Sequence, residues 1–211
     1  MKVNLLCSDR HLPIGLWEQQ TDAHWIGIDK GALILVQRGV TPQFAVGDFD
    51  SINDSEREQL AQHIDINPLN PMKDDTDLAL GVEEAVAAGY TEIDIYGATG
   101  GRLDHFMGAL QVLEKPEYAE QGVTIRLLDD QNQIMLLTKG HHRIENDETY
   151  QYISFVPVTY PTTISLKHFK YNLEQTTLTL GSTLTISNEL TDRDGEVTIT
   201  EGHLLMFRSR D

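Results

Sequence analysis

The sequence predicts an α/β N-terminal domain with a mainly parallel sheet, followed by a small all-β sandwich or barrel domain. First, short apolar segments alternate with helical stretches as far as about residue 130, the pattern of a doubly wound parallel sheet. Second, beyond about residue 135 polar and apolar residues alternate with period two, and Thr, Val and Ile are enriched, as in antiparallel strands. We therefore expect domains over residues 1–135 and 136–211, with the boundary somewhere within 130–142.

The elements of the first domain follow in chain order. Apolar runs predict buried parallel strands at Val3 to Cys7, Trp25 to Ile28, Phe44 to Val46, Ile64 to Ile66, Ile93 to Tyr96 and Thr124 to Leu128. Apolar residues at helical spacing and capping residues predict helices at Gly31 to Gln37, Asn53 to His63, Asp74 to Ala88 and Leu103 to Leu113. Gly89 is expected to end the third of these helices.

Alternation in the second half predicts strands joined by polar turns. The segments that show it are Y-Q-Y-I-S-F-V-P-V, T-T-I-S-L-K, T-L-T-L, L-T-I-S and E-V-T-I-T, in the range 150–200. Each combines β-branched residues with polar residues at every second position, which is typical of a strand that is buried on one face.

The composition excludes several classes of partner. The chain has 16 Lys and Arg against 33 Asp and Glu, for a net charge of -17. Such a charge repels phosphate backbones and anionic lipids, so we expect neither nucleic acid nor membrane partners. The single cysteine, Cys7, favours a reducing compartment, and no apolar run has the length of a signal core or a membrane span, so we expect a cytoplasmic protein.

Acidic residues follow several of the predicted strands. Asp29 follows the second strand, Asp48 and Asp50 follow the third, and Asp74 and Asp77 begin the predicted helix after the fourth. In an extended segment, the side chains of Asp48 and Asp50 would point the same way, so both carboxylates could bind one cation. The alternative is a solvated loop in which a residue caps the following helix. Ligands bind at the carboxyl ends of the strands in such sheets, so we expect these acids to converge.

The glycine-rich stretch G-A-T-G-G-R-L-D-H, residues 97–105, follows the strand Ile93 to Tyr96. Glycines at the start of a helix let backbone N–H groups approach an anion, and Arg102 adds a bidentate cation. Together with the acids, this stretch predicts a magnesium–nucleotide site. It lacks the Lys-Ser/Thr pair of a Walker A loop. A phosphatase of the haloacid-dehalogenase type is a competitor, although that class places its D-x-D after the first strand.

The chain resembles the bacterial thiamine pyrophosphokinase family. The matching motifs are D-K-G-A at 29–32, G-D-F-D-S at 47–51, K-D-D-T-D at 73–77, G-A-T-G-G-R-L-D-H at 97–105 and G-S-T-L-T-I-S-N-E at 181–189. The resemblance implies an ATP-binding catalytic domain, a thiamine-binding β domain and a homodimer with thiamine sites between subunits. It also implies transfer of the pyrophosphoryl group of ATP to the hydroxyethyl oxygen of thiamine, with Mg²⁺.

The resemblance also implies roles for individual residues. Metal ligands would be Asp48, Asp50 and Asp77. Catalytic residues would be these three with Asp74, Arg102 and Asp104, and the proton acceptor would be Asp104 or Asp74. ATP-binding residues would be Asp29, Gly31, Lys73, Thr99, Gly100, Gly101, Arg102 and His105. Thiamine would contact Ser187 and Asn188.

The aromatic partner of thiamine and two rival functions are open. Tyr171 or Phe169 would face the thiazolium by cation–π attraction, or both would be alternating core residues. A metal-dependent phosphohydrolase would use the same acids without an acceptor substrate, and a thiamine- or nucleotide-binding regulator would bind without turnover.

Overall fold

The protein consists of two compact units, residues Met1–Asp130 and Gln131–Asp211. The computed structural model describes residues 1–64 and 75–211. The predicted strand Ile64 to Ile66 therefore lies, beyond Ile64, outside the described residues.

The first unit is built on a parallel sheet. Its strands are β1 (Lys2–Leu6), β2 (Trp25–Ile28), β3 (Phe44–Val46), β4 (Glu92–Tyr96) and β5 (Thr124–Leu128). They lie in the order β3-β2-β1-β4-β5, and every adjacent pair is parallel. The chain thus builds the sheet outwards from β1 on one side, then returns to the other side of β1 to add β4 and β5.

Helices connect these strands. The described part of the unit contains α1 (Leu16–Gln19), α2 (Lys30–Gln37), α3 (Asp54–Ala61), α4 (Asp77–Ala87), α5 (Leu103–Glu114) and α6 (Pro116–Glu120). α1 and α6 were not predicted, because runs of four or five residues are too short to show a helical period. Asn53 and Glu56 form a capping box at the start of α3.

The helix that was predicted to begin at about Asp74 begins at Asp77. The side chain of Thr76 accepts a hydrogen bond from the main-chain N–H of Ala79 at 3.3 Å. Thr76 is therefore the N-cap residue, and Asp77 is the first helical residue. Gly89 follows the C-cap with φ of 86°, as expected of a glycine that ends a helix.

Two apolar clusters hold the sheet and helices of the first unit together. One contains Trp25 of β2 with Leu6 of β1 and Leu35 of α2. The other contains Leu33 of α2, Leu60 of α3 and Phe49, which lies in the loop after β3. Alternate faces of α2 thus contribute to different clusters, and the second cluster holds the loop after β3 in place.

The second unit is a β-sandwich. Its strands are β6 (Asn132–Leu137), β7 (Gly140–Ile144), β8 (Tyr152–Pro157), β9 (Thr162–Lys167), β10 (Leu173–Leu178), β11 (Gly195–Glu201) and β12 (Leu204–Ser209). β12 pairs with β6 and β8, and the order in the other sheet is β10-β9-β11-β7, with antiparallel pairing throughout. One buried cluster joins both sheets, with Phe155 and Met206 from the first and Ile164 and Val197 from the second. The predicted fold class is therefore confirmed for both halves of the chain.

One predicted strand of this half is wrong. The segment L-T-I-S, residues 184–187, alternates polar and apolar residues but forms a turn and a bend. Ser187 has φ of 57°, which a strand does not allow, and Leu184 and Ile186 are exposed.

In the described ranges 1–64 and 75–211, no helix combines the length and the apolar character needed to cross a bilayer.

Candidate active site

The carboxyl ends of all the described strands of the parallel sheet meet at one edge. The loops after β3, β2, β1 and β4 begin at Gly47, Asp29, Cys7 and Gly97 respectively. The order in which strands are added to the sheet reverses at the β1–β4 pair, since β2 and β3 lie on one side of β1 and β4 and β5 on the other. A crevice forms at such a point in open α/β sheets, so this edge is the expected binding site.

Three carboxylates come together at this edge. One oxygen from each of Asp29, Asp48 and Asp50 lies within 4.8 Å of the others. Asp29 Oδ1 is buried and has no hydrogen-bond partner among the described residues. A buried carboxylate oxygen without a donor is costly unless a cation takes that place. The group therefore fits a hard divalent cation such as Mg²⁺, which prefers oxygen ligands.

The pairing of Asp48 with Asp50 depends on the residue between them. Phe49 is fully buried and has φ of 58°, so the backbone there is left-handed. The prediction that an extended backbone aligns the two carboxylates is therefore wrong. Instead, the Phe49 ring enters the core, the chain turns over it, and the main-chain N–H of Asp50 donates to Asp48 Oδ1 at 3.0 Å.

Glycine allows the loop after β3 to approach Asp29. A methyl group on Gly47 would lie 3.0 Å from the Cα of Asp29, and Gly47 has φ of 150°. The main-chain N–H of Asp29 donates to the carbonyl oxygen of Val46 at 2.8 Å. Asp29 itself has φ of 48°, which is unusual for a residue with a side chain. This close approach places Asp29 in the acidic group, as the position of Asp29 after β2 led us to expect, whereas the family resemblance had implied for Asp29 only a role in ATP binding.

Asp77 lies in the field of the same group. Burial, followed by repulsion from Asp48, Asp29 and Asp50, raises the pKa of the Asp77 carboxyl. The first residue of α4 thus faces the three carboxylates, consistent with its predicted place beside a metal. Predicted site residues Lys73 and Asp74 lie outside the described residues.

Cys7 lies beside the acids at the end of β1. Burial, with Asp29 and Asp77 nearby, raises the pKa of its thiol to about 12. Such a thiol stays protonated at neutral pH and is a poor nucleophile. Cys7 therefore behaves as a small apolar residue, as its position in an apolar run indicates.

The glycine-rich loop follows β4, with β1 between it and Asp29. Gly97 has φ of 70°, and a methyl group there would lie 2.0 Å from the carbonyl oxygen of Ser8. The hydroxyl of Ser8 donates to the Gly97 carbonyl oxygen at 2.6 Å. Thr99 is buried, and its Oγ1 has no hydrogen-bond partner among the described residues. The loop therefore offers an unsatisfied buried hydroxyl together with glycine backbone.

The charged residues after the glycines are exposed and partly neutralise one another. Arg102 Nε donates to Asp104 Oδ1 at 3.1 Å, and Nη2 donates to the other carboxylate oxygen. This hydrogen bond is the largest cause that lowers the pKa of Asp104, to about 2. While it is paired, Asp104 is thus a weak base. His105 lies in the first turn of α5 and is exposed.

Sequence reasoning missed the segment that follows β1. A methyl group on Gly100 would lie 2.0 Å from His11 Cδ2, and one on Gly101 would lie 2.2 Å from Arg10 Nη1. Arg10 and His11 therefore lie against the glycine-rich loop. No motif marks them, but their position directly after the central strand was a usable signal, because ligand-binding residues follow such strands.

The predicted thiamine residues lie in the second unit and differ in their surroundings. Asn188 is buried, and its side chain accepts from the N–H groups of Tyr171 at 3.1 Å and Glu189 at 2.9 Å and donates to the Tyr171 carbonyl at 2.8 Å. Ser187 is exposed, and its main-chain N–H donates to Ser154 Oγ at 2.9 Å. Phe169 is a core residue, whereas Tyr171 is 60% exposed. Asn188 thus fixes the turn that carries the exposed Tyr171.

Fold and site together define a class of protein. An acidic group and a glycine-rich loop share the ligand-binding edge of an α/β sheet, and an antiparallel β unit follows, which is an arrangement suited to phosphoryl-transfer enzymes.

Comparison with known proteins gives the family. The model described as "Thiamin pyrophosphokinase, catalytic domain" matches residues 16–127, and "Thiamin pyrophosphokinase, vitamin B1 binding domain" matches residues 141–204. The chain is 42% identical over 195 residues to thiamine pyrophosphokinase of Bacillus subtilis (strain 168), with 90% of each sequence covered. The chain therefore belongs to the thiamin pyrophosphokinase family of enzymes.

Solved structures agree with this family. The chain is similar over its full length to a probable thiamine pyrophosphokinase from Staphylococcus saprophyticus subsp. saprophyticus, with TM-score 0.80 and 52% identity. It is similar in the same way to the Bacillus subtilis enzyme, with TM-score 0.89 and 38% identity. Both comparisons cover 100% of each chain.

Proposed function

We propose that this enzyme transfers the pyrophosphoryl group of ATP to the hydroxyethyl oxygen of thiamine, giving thiamine diphosphate and AMP. The observation that carries the proposal is the group of Asp29, Asp48 and Asp50 at the same sheet edge as the glycine-rich loop. Family membership supplies the substrates, and the site supplies a physical reason why an acidic protein can bind an anionic nucleotide. That reason is a divalent cation held between the carboxylates and the phosphates.

The acids are assigned to Mg²⁺. Asp48, Asp50 and Asp77 are the proposed ligands, as the family motif implies, and Asp29 joins them because one of its oxygens is buried without a donor. When it is bound, Mg²⁺ would be held by these carboxylates and would supply positive charge that neutralises the phosphates during transfer. The carboxylates would also hold the cation beside the crevice at β1 and β4.

The glycine-rich loop is assigned to the phosphates. Thr99 has a buried, unsatisfied hydroxyl, and Gly100 and Gly101 expose their backbone. To bind ATP, Arg102 must exchange its hydrogen bonds to Asp104 for hydrogen bonds to a phosphate, which is the more strongly charged anion. By the motif, Gly31, Lys73 and His105 contribute further ATP contacts, with Asp74 supporting the metal.

The second unit is assigned to thiamine. Ser187 is exposed and can contact a ligand, whereas the buried amide of Asn188 fixes the turn at Tyr171. Tyr171 is the exposed aromatic beside them, and aromatic rings attract cations such as the thiazolium. We place the enzyme in the cytoplasm as a homodimer with thiamine sites between subunits, on the basis of the family resemblance.

The transfer balances as a single displacement. The thiamine hydroxyl oxygen forms a bond to the β-phosphorus of ATP, and the bond from that phosphorus to the oxygen shared with the α-phosphate breaks. AMP leaves with the electron pair of the broken bond, and the hydroxyl proton passes to a carboxylate or to water. Positioning and charge neutralisation carry such reactions, so the chain needs no covalent intermediate.

The test is to incubate the purified protein with ATP, Mg²⁺ and thiamine and to separate all nucleotides and thiamine species by chromatography. AMP and thiamine diphosphate are expected in equal amounts. ADP with thiamine monophosphate would show an ordinary kinase instead. Phosphate release that does not need thiamine would show a metal-dependent phosphohydrolase.

A further inference from the structure

The segment after β1 is held at two points, one on the glycine-rich loop and one on Asp130, which follows β5. On one side of Arg10, the hydroxyl of Ser8 donates to the carbonyl oxygen of Gly97 at 2.6 Å. On the other side, the carbonyl oxygen of His11 accepts from the main-chain N–H of Asp130 at 2.8 Å, and His11 Nδ1 lies 3.3 Å from Asp130 Oδ1. The backbone at Arg10 is therefore fixed between the ends of β4 and β5.

The guanidinium of Arg10 lies directly on the loop. Its Nη1 is so close to Gly101 that any side chain there would collide with it, at 2.2 Å from the first added carbon. Within residues 1–64 and 75–211, this guanidinium makes no hydrogen bond or ion pair. The cation thus contacts the loop without any carboxylate that neutralises it in the described structure.

Arg102, at the other end of the glycines, differs in this respect. Its guanidinium makes two hydrogen bonds to Asp104, so its charge is already compensated before an anion binds. In a chain of net charge -17, an uncompensated cation beside a glycine-rich loop is unusual. Binding an anion through Arg10 costs less free energy than binding it through Arg102, because no existing ion pair must break.

We propose that Arg10 is a phosphate-binding residue for ATP, held over the glycine-rich loop by the anchors at Ser8 and His11. The inference rests on the proposed function, since it assigns to Arg10 the polyphosphate of that reaction's nucleotide. From the usual strand spacing of about 4.8 Å, the loop after β4 lies about 10 Å from the acids that follow β2. Arg10 therefore acts on the phosphates from the side of the crevice opposite the carboxylates.

Titration calorimetry with a non-hydrolysable ATP analogue and Mg²⁺ tests this assignment. Arg10→Gln should weaken binding of the analogue about 10- to 100-fold, as loss of a charged hydrogen bond implies. Arg10→Lys should recover part of the affinity, because it keeps the charge but loses the planar fork. Arg193→Gln is the matched control: it removes one exposed arginine charge in the second unit and should leave binding unchanged.

The outcomes separate the two proposals. If wild type binds the analogue and Arg10→Gln binds it equally well, the role of Arg10 is overturned and the proposed function stands. If wild type does not bind the analogue, both proposals fail. Equal losses in Arg10→Gln and Arg193→Gln would show a general charge effect and would also overturn the role of Arg10. Melting curves of all three variants should match wild type, so lost affinity cannot be assigned to unfolding.

Discussion

Arg57 donates a hydrogen bond of 2.7 Å to the main-chain carbonyl oxygen of Phe49. This contact ties α3 to the middle of the loop that carries Asp48 and Asp50. The loop therefore has two supports, the buried Phe49 ring below and the Arg57 guanidinium at its carbonyl.

Arg57→Ala should reduce the apparent affinity for Mg²⁺ in the pyrophosphoryl-transfer assay. Without the guanidinium, the backbone between the two carboxylates loses a charged hydrogen bond worth about 1.5–3 kcal/mol, and the loop samples other conformations. A rise of about 10- to 100-fold in half-saturating Mg²⁺ is expected from this range. Glu58→Ala, on the exposed side of the same helix, is the control. Unchanged Mg²⁺ dependence in Arg57→Ala would show that Phe49 alone holds the loop.

Asp50→Asn should abolish turnover while the fold stays intact. The change keeps the shape of the side chain but removes one negative charge from the group that contains Asp29 and Asp48. We expect activity to fall by about 100-fold or more, as when other charge-stabilising groups are removed from active sites. Asp22→Asn makes the same change at an exposed turn and serves as the control. Near-normal activity in the Asp50 variant would remove this residue from the metal site.

Asp77 should make the metal-free protein less stable at neutral pH. Burial and the neighbouring acids raise its pKa above 3.8, so the folded state holds the proton more tightly than the unfolded state. Stability from this group is therefore lost as pH rises through the raised pKa. In EDTA at pH 7, Asp77→Asn should melt at a higher temperature than wild type, and the difference should shrink as pH falls through the raised pKa of Asp77. A variant that melts at or below wild type in EDTA at pH 7 would contradict this electrostatic cost.

The same pair of proteins gives a second readout with Mg²⁺. Bound cation would compensate the acids, so Mg²⁺ should raise the melting temperature of wild type more than that of Asp77→Asn. An equal rise in both would place the ion elsewhere.

Gly31→Ala and Gly108→Ala should have opposite effects on stability. A methyl group on Gly31 would lie 1.8 Å from the carbonyl oxygen of Leu6, so α2 must move away from β1 at a cost of about 1–3 kcal/mol. A methyl group on Gly108 meets nothing within 4 Å, so a better helix former should add about 0.5–1 kcal/mol. Urea denaturation monitored by circular dichroism measures both changes. Similar stability in the two variants would mean that the contact at Leu6 relaxes easily.

The variants Asn188→Ala and Ser187→Ala should distinguish a residue that positions the turn at Tyr171 from one that contacts thiamine. Loss of the Asn188 amide breaks three hydrogen bonds, with an expected cost of about 2–3 kcal/mol, and frees the turn at Tyr171. Ser187→Ala should keep stability within about 1 kcal/mol and still raise the KM for thiamine, because its exposed hydroxyl is the proposed contact. Denaturation curves and thiamine titrations distinguish the two. Full thiamine affinity in Ser187→Ala would leave the contact to other residues.

The parts of the site that follow from strand order could be predicted from the sequence. Parallel strands end at one edge, so Asp29, Asp48 and Asp50 could be placed together from the chain alone. The distance between their carboxylates could not be predicted. It depends on the close approach of Gly47 to Asp29 and on the left-handed backbone at Phe49. Local patterns do not contain such contacts between loops.

Two further features of the structure could not be predicted from the sequence, because they too depend on contacts between segments that are distant in the chain. Arg10 belongs to no motif, and its contact with Gly101 arises only when the loops after β1 and β4 meet. The segment 184–187 alternates like a strand, but Ser154 and Asn188 hold it as a turn. Both features depend on tertiary contacts, which at 184–187 overrode the local preference for a strand.

The position of β1 at the centre of the sheet affects how the chain must fold. β1 precedes both of its partners in the chain, and its Lys2 pairs with Glu92 of β4. During synthesis, one edge of β1 stays unpaired until β4 has emerged, and the ligand-binding crevice cannot form before then. The contacts that close the sheet are therefore distant in sequence, so we expect its folding to be slow and its exposed edge to need protection on the ribosome.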